Sequence, residues 1–198
     1  DIEKAGGLSN FLRFINEELD RMIANTIVMA VLIGDTVNEL ADRVTTFETI
    51  GSKTTSDVFT TVQKTTATVT LESMRALCDA VKNPYAKDKV LIVNGAMLSQ
   101  IAAAKYASGG TTFYRGNDEL AKMLGVSEII ECDLLDPQSV QGIYGICMLP
   151  DGYWYNEKKS LSVTYPQYEV NSMNYQKERN CGGAIHDLYS TAVLKYGA

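Results

Sequence analysis

The feature that most constrains this chain is a long apolar periodicity near its start. Phe11, Ile15, Leu19, Met22, Ile23, Ile27 and Ala30 recur in steps of three and four residues, which predicts one helix over residues 9–33. Ser9 or Asn10 can cap it, Glu17 and Glu18 fall in its early turns, and Gly34-Asp35 stops it. At the ordinary helical rise it would be about 36 Å long. Its first half is amphipathic. Its last two turns are apolar nearly all round, so that end should be buried on several sides.

The same apolar stretch, residues 27–33, is the longest in the chain. A membrane span needs roughly 20 apolar residues, so no membrane partner is expected. The 198 residues, 45% apolar and 21% charged, suit one globular domain with a sizeable core, or two small ones sharing chain segments. A formal net charge of -6 argues against a protein that grips phosphate backbones, which needs a basic stripe. Lys158-Lys159 is the one basic cluster and is too short for that role. No sequence-specific nucleic-acid binding is expected, although a face could lie near nucleic acid without gripping it. The opening Asp1-Ile2-Glu3-Lys4 is neither a secretory signal nor a basic transit segment. Without an initiator Met it reads as a fragment or processed product with a segment missing upstream.

Further along, eleven threonines between Thr45 and Thr70, interspersed with Val44, Phe47, Ile50, Val58, Phe59, Val62 and Val69, mark β-prone or extended chain. It is read as a connecting segment between two subdomains, with a hydroxyl-rich binding surface as the functional alternative. Leu71, Met74, Leu77, Cys78 and Val81 give a second helix over residues 71–81, capped by Thr70 and ended at Asn83-Pro84. A short apolar strand over 89–93 leads through Asn94-Gly95 into a helix over about 97–106. A fourth helix spans 118–124, and a strand covers 126–135. These elements suggest a small α/β unit over residues 55–150. Beyond Gly142 the chain turns mostly β. Residues 143–149 and 153–155 flank Pro150-Asp151-Gly152 as a hairpin signal. Residues 160–165 alternate up to Pro166, and 188–196 form a final strand. Ten of the eleven tyrosines lie at Tyr106 or later, which suits subunit interfaces as well as strand formation.

No catalytic, cofactor-binding or metal-ligating residue is assigned. His186 is the single histidine, beside Asp187, and no Ser or Cys sits in a GxSxG context. Ser108-Gly109-Gly110-Thr111-Thr112 follows a helix, and the next basic residue is Arg115. A Walker loop instead needs Gly-Lys-Ser/Thr leading from a strand into a helix, so a glycine helix stop accounts for these residues. Glu128, Glu131, Asp133 and Asp136 lie on one strand and its exit and read as a solvated strand face. Cys78, Cys132, Cys147 and Cys181 contain no CxxC pair and read as small buried hydrophobes of a reducing compartment.

The order of elements resembles that of tailed-phage major capsid proteins of the Hong Kong ninety-seven type, a fold shared with encapsulin compartments. The long helix ending in Leu32-Ile33-Gly34-Asp35 resembles that family's spine helix. Val90-Leu91-Ile92-Val93-Asn94 and the helix after it resemble its apolar run, Asn and helix leading to a Gly-bearing loop. Gly142-Ile143-Tyr144-Gly145 into Asp151-Gly152-Tyr153-Trp154 resembles the strand and turn after its axial domain. Ser162-Val163-Thr164-Tyr165 and Thr191-Ala192-Val193-Leu194-Lys195 resemble its later strands. The resemblance implies an α+β fold with a long spine helix, a β-rich peripheral lobe and an inserted α/β axial lobe. The peripheral domain would take residues 1–53 and 152–198, and the axial domain 54–151. It further implies that the family's N-terminal arm and extended hairpin loop are missing here. Some members crosslink that hairpin's lysine to a neighbour's asparagine with a glutamate's help. Asn171, Asn174 and Glu178 lie in the corresponding region, and no crosslink is assigned.

The function implied is structural rather than enzymatic: an icosahedral shell of a tailed bacteriophage or prophage, built by copies of the chain and enclosing DNA. Its partners would be other copies, as pentamers and hexamers, with scaffold, protease and portal proteins. Assembly would take place in the bacterial host cytoplasm. A subunit of this kind needs no active site. It needs a rigid long element, extended edges and interfaces repeated by symmetry, and an acidic subunit repels DNA rather than gripping it. Two alternatives stand beside it. One is an encapsulin-like compartment. The other is an α/β small-molecule-binding domain on residues 55–150, in which ligand binding would depend on Arg115 or Glu131.

Overall fold

The periodic stretch at the start folds as α1, Leu8–Leu32, in a computed structural model that describes residues 8–34, 47–65, 69–82, 88–103, 116–136, 142–167 and 172–197. Gly34 ends it as the sequence predicts. Its φ of +77° is a left-handed conformation that glycine adopts without strain, and it lets the N–H groups of Ile33 and Gly34 both donate to the Met29 carbonyl. The last carbonyls of a helix have no partner within it. Here the segment that follows supplies them. The Thr49 hydroxyl donates to the Ala30 carbonyl at 2.7 Å, Ile50 N–H to Val31 and Gly51 N–H to Leu32, both at 2.9 Å. Gly51 lies so close that a Cβ there would run into the Leu32 carbonyl and the Ile143 side chain. Ala30 and Leu32 are buried, whereas Val28 stays exposed, so burial of the apolar end reaches about one turn.

Among the described residues seven strands follow in chain order: β1 (Thr60–Thr65), β2 (Val90–Val93), β3 (Glu128–Glu131), β4 (Ile143–Met148), β5 (Tyr153–Gln167), β6 (Ser172–Ile185) and β7 (Thr191–Tyr196). Five of them form one sheet in the order β1-β7-β4-β2-β3. The outer pairs, β1 with β7 and β2 with β3, are parallel. β4 runs antiparallel to both β2 and β7. β5 and β6 pair with each other as a separate two-stranded antiparallel ribbon.

The five-stranded sheet is buried on both faces. One face carries α2 (Leu71–Ala80), α3 (Gly95–Ala103) and α4 (Asn117–Leu124), which pack Met74, Leu77, Met97 and Leu120 with Leu91, Cys147 and Leu194 of the strands. The other face gathers Ile92, Ile146 and Val193 against Leu32 of α1, Ile50, Leu135 and Ile185. Burial on both faces is why β2 and β4 read as continuous apolar runs rather than alternating ones. Ser9 and Asn10, expected to cap α1, lie within it instead, whereas the shorter helices are capped. Thr70 and Ser73 form a reciprocal capping box at α2. Asn94 accepts from Ala96 N–H at the start of α3. Gly125, at φ +68°, closes α4.

Several sequence expectations are corrected. The hairpin across Pro150-Asp151-Gly152 does not form: β4 has both edges occupied, by β2 and β7, and β5 pairs with β6. Residues 150–152 are a 3-10 turn that carries the chain from the sheet to the ribbon, with Gly152 pressed against Ser190. The threonine-rich segment is more than a connector, because residues 60–65 form the sheet's edge strand β1. Thr60 there is fully buried, with its hydroxyl 2.7 Å from that of Thr191. The strand expected over 126–135 shrinks to 128–131. The final strand starts at 191 rather than 188, because Tyr189 takes φ +55° while its N–H donates to Val58 and its carbonyl accepts from Lys82. That strand, β7, lies between β1 and β4 rather than beside the β5–β6 ribbon. Residues 104–106 of the third helix lie outside the described residues.

Candidate interaction surfaces

The polar residues singled out in the sequence do not converge. His186 and Asp187 sit on the exposed turn after β6, with Nε2 and Oδ1 3.6 Å apart. Glu131 and Asp133 flank the start of α3, with their carboxylate oxygens 3.5 and 3.8 Å from where a Cβ on Gly95 would stand. Asn117 donates to Glu131 at 3.4 Å. Carboxylates at a helix N-terminus favour the positive end of its dipole, so these two serve the fold. Glu128 is exposed on β3. Among the described residues no three His, Cys, Asp or Glu side chains gather as a metal-ligand set. Ser108-Gly109-Gly110-Thr111-Thr112, Arg115 and Asn171 lie outside the described residues. Asn174 and Glu178 are both on β6. Among the described residues no helix is long and apolar enough to cross a membrane.

What the structure does assemble is a clasp between α1 and the β5–β6 ribbon. Lys177 and Arg179, two apart on β6, both reach Asp20 in the middle of α1, at 2.6 and 2.8 Å. The hydrogen bond from Lys177, with that from Arg179, holds the Asp20 carboxyl below the usual aspartate range. Arg179 Nε is buried and lies 3.7 Å from Glu157 Oε1 across the ribbon. A second tie runs through residues 47–57. Phe47 bridges to Gly183, and Glu48 N–H donates to the Gly183 carbonyl at 2.8 Å. The Glu48 carboxylate accepts from Ile185 N–H and pairs with Lys53, which also holds Asp57. The Tyr153 hydroxyl donates to the Glu48 carbonyl at 2.9 Å. Burial raises the Tyr153 pKa, so this donor keeps its proton at neutral pH.

The ribbon has two unlike faces. Register places Tyr153, Tyr155 and Glu157 opposite Ile185, Gly183 and Cys181, and this face carries the clasp, with Tyr155 stacked on Phe47. The other face holds Trp154, Asn156, Asn180, Gly182 and Ala184 along an open groove. Trp154, the only tryptophan in the chain, is 66% exposed. The outward side of α1 is likewise bare at Phe14 and Met22, which are 56% and 62% exposed. Exposed aromatic and Met side chains of this kind are enriched where subunits meet.

Sequence reasoning missed Asp20, Lys177 and Arg179. The available signal was the two-residue spacing of Lys177 and Arg179, which puts two cations on one strand face. Nothing in the sequence pointed to Asp20 as their partner, 157 residues away from Lys177.

Solved structures share this architecture. The capsid of the native GTA particle matches with a TM-score of 0.70 and 15% identity, over 94% of this chain and 72% of that one. The capsid of the empty GTA particle matches with 0.66 and 14%, over 94% and 66%. Gordonia phage Cozz matches with 0.54 and 16%, over 96% and 65%. This chain thus spans about two thirds of the length of those it matches. No family model matches the chain, and no curated protein does. The chain shares the fold of these capsid structures.

Proposed function

We propose that this chain is a shell-forming major capsid protein of a tailed bacteriophage or prophage, with the Hong Kong ninety-seven-type arrangement. The observation that carries the proposal is the likeness, over 94% of the chain, to the capsid of the native GTA particle. In this reading α1 is the spine. Residues 1–53 and 152–198, apart from β7, form the peripheral lobe, and residues 54–151 form the axial lobe, whose sheet β7 completes. Copies of the chain associate as pentamers and hexamers into an icosahedral shell that encloses DNA. Scaffold, protease and portal proteins take part, and assembly runs in the bacterial host cytoplasm.

Two physical features support this reading. The clasp fixes α1 against the ribbon, so a long element can transmit forces between neighbours instead of swinging. The bare side of α1 and the Trp154 face supply surface for repeated contacts, in a chain whose charge of -6 repels enclosed nucleic acid. The role is structural, with no chemical step assigned to any residue.

The test is to express the reading frame that encodes this chain, with and without a candidate scaffold protein co-expressed, and to image the product by electron microscopy. Uniform hollow shells are the expected result. Shells filled with a protein cargo and formed without scaffold would move the assignment to an encapsulin-like compartment. Monomers that persist with scaffold present would overturn it in favour of a binding domain.

A further inference from the structure

The five-stranded sheet has two unlike edges. At the β1 edge, Lys64 and Lys195 are cross-strand partners. Lys64 is exposed, whereas Lys195 is only 7% exposed. Among the described residues neither side chain makes a hydrogen bond or meets a carboxylate. Like charges side by side on a sheet repel, and a cation held almost out of water is costly without an anion beside it. Burial holds the Lys195 amine below the usual lysine range. At the opposite edge Glu131 ends β3 and Asp133 follows, both exposed. Their carboxylate oxygens converge within 3.5 and 3.8 Å of one point, the place that a Cβ on Gly95 would take. Asn117 donates to Glu131 at 3.4 Å, but among the described residues neither carboxylate has a cation beside it. The start of α3 offers about half a positive charge, so the pair stays net negative.

The two clusters lie at one level of the sheet. Glu131 pairs with Val93, Val93 with Gly145, Gly145 with Leu194, and Leu194 with Gln63. The row that starts at Glu131 thus reaches the far edge at the residue before Lys64. A second copy set beside the first, with its strands pointing the same way, brings the carboxylates of one opposite the lysines of the other. The sheet itself cannot continue across this joint, because β1 has its outward backbone groups taken. Ser56 Oγ accepts from the Val62 N–H at 2.8 Å and donates to the Val62 carbonyl at 3.4 Å. Asp57 accepts from the Thr60 N–H at 2.7 Å and donates its own N–H to the Thr60 carbonyl at 2.9 Å. A blunted edge resists strand addition, which leaves side-chain charge to make the contact.

We infer that Lys64 and Lys195 at one edge, and Glu131 and Asp133 at the other, are the two halves of a head-to-tail interface between copies of this chain. Contacts between unlike surfaces close into rings when the rotation allows, and ring closure here rests on the shell reading above. The pairwise contact needs only the sheet and its charges.

The experiment compares the whole chain with Lys64→Glu, Asp133→Lys and the double variant that carries both. Sedimentation velocity at low and high salt reads association, and circular dichroism checks that each variant is folded. Both positions are exposed, so folding should hold. The wild-type chain should self-associate at low salt and dissociate as added salt screens the charges. Each single variant should associate about tenfold more weakly or worse, because like charges then face each other. The double variant faces opposite charges again and should regain association, as should an equal mixture of the two single variants. Unchanged association in either single variant, or no recovery in the double variant, would overturn the interface. So would a wild-type chain that stays monomeric at low salt, and that result leaves the shell assignment to electron microscopy with scaffold present. Shells that form equally well from the single variants would keep the shell reading and overturn this contact.

Discussion

The five-stranded sheet and the α1–ribbon clasp are stabilised by different forces. The sheet is covered by apolar packing on both faces, and Leu91, Val93, Ile146, Cys147, Val193 and Leu194 in its central strands are almost wholly buried. The ribbon is two strands of 15 and 14 residues, roughly 50 Å long. A two-stranded ribbon is marginally stable alone in water. In its described part it is held by ion pairs to Asp20, by the Glu48–Lys53 tie and by backbone bonds to residues 47–48. The first region can be stable within one chain. The second enters the core only at its base, through Ile185 and Tyr153, is held by electrostatics along α1, and leaves apolar and aromatic surface uncovered, which is what a part that finishes its packing against neighbours would look like.

The sharpest way to break that contrast is at the joint between the two regions. Gly51→Val should unfold the chain, a loss of roughly 4 kcal/mol or more. Its side chain has to occupy the space of the Leu32 carbonyl and Ile143, and backbone cannot yield there without releasing the cap on α1. Circular dichroism and solubility would report it. Full native stability in this variant would mean that residues 49–51 do not sit on the end of α1. Next comes Ile146→Ala, which leaves a cavity in the centre of the sheet and should cost roughly 2–5 kcal/mol in denaturant unfolding. Thr60→Val is smaller. It removes one partner of a buried hydroxyl pair, while the Thr191 hydroxyl keeps its 3.3 Å bond to the Phe59 carbonyl, so the expected loss is about 1 kcal/mol.

Legibility in the sequence follows the same division. Local signals were clear: the period of α1, the Thr70 cap, Gly34 and Gly125 as stops, and the apolar run of β2. Pairing was not. Pro150-Asp151-Gly152 between two β-prone runs reads as a hairpin, but which strand takes each edge of β4 depends on residues as distant as 90–93 and 191–196. The threonines gave no sign that β1 would lie parallel to β7, because Thr suits a strand edge and a loop equally. The clasp was the least visible part, since one aspartate in a helix and two cations in a strand are ordinary until the fold brings them together. His186, Glu131 and Asp133 offered no spacing that called for chemistry, and the structure uses the two carboxylates at a helix start.

The clasp can be loosened without touching the sheet. Lys177 and Arg179 hold the Asp20 carboxyl below its unfolded value. Its contribution is therefore complete above the ordinary aspartate range and is lost as pH falls through the lowered folded value. Asp57, bonded to Lys53 and to the N–H groups of Phe59 and Thr60, shifts the same way. Acid below the ordinary aspartate range should speed amide exchange in the middle of α1 and in residues 172–182 of β6 before it does so in β4. Asp20→Asn should reproduce the α1 effect at neutral pH. Equal exchange rates in α1 and β4 across the titration would show that the ion pairs add nothing.

The smallest expected effect on folding is at Trp154, and it is the most discriminating. Removing a large aromatic side chain from a core costs roughly 3–5 kcal/mol, but that loss requires neighbours, and Trp154 is 66% exposed over Gly182 and Ala184. Trp154→Ala should therefore change the stability of the isolated chain by no more than about 0.5 kcal/mol, measured by denaturant unfolding. Assembly should respond quite differently, because an exposed aromatic anchor contributes energy only when a partner desolvates it. Shell yield should fall while monomer stability holds. A stability loss comparable to that of Ile146→Ala would place Trp154 inside the chain's own packing, and the ribbon would then be a second core rather than a surface awaiting a neighbour.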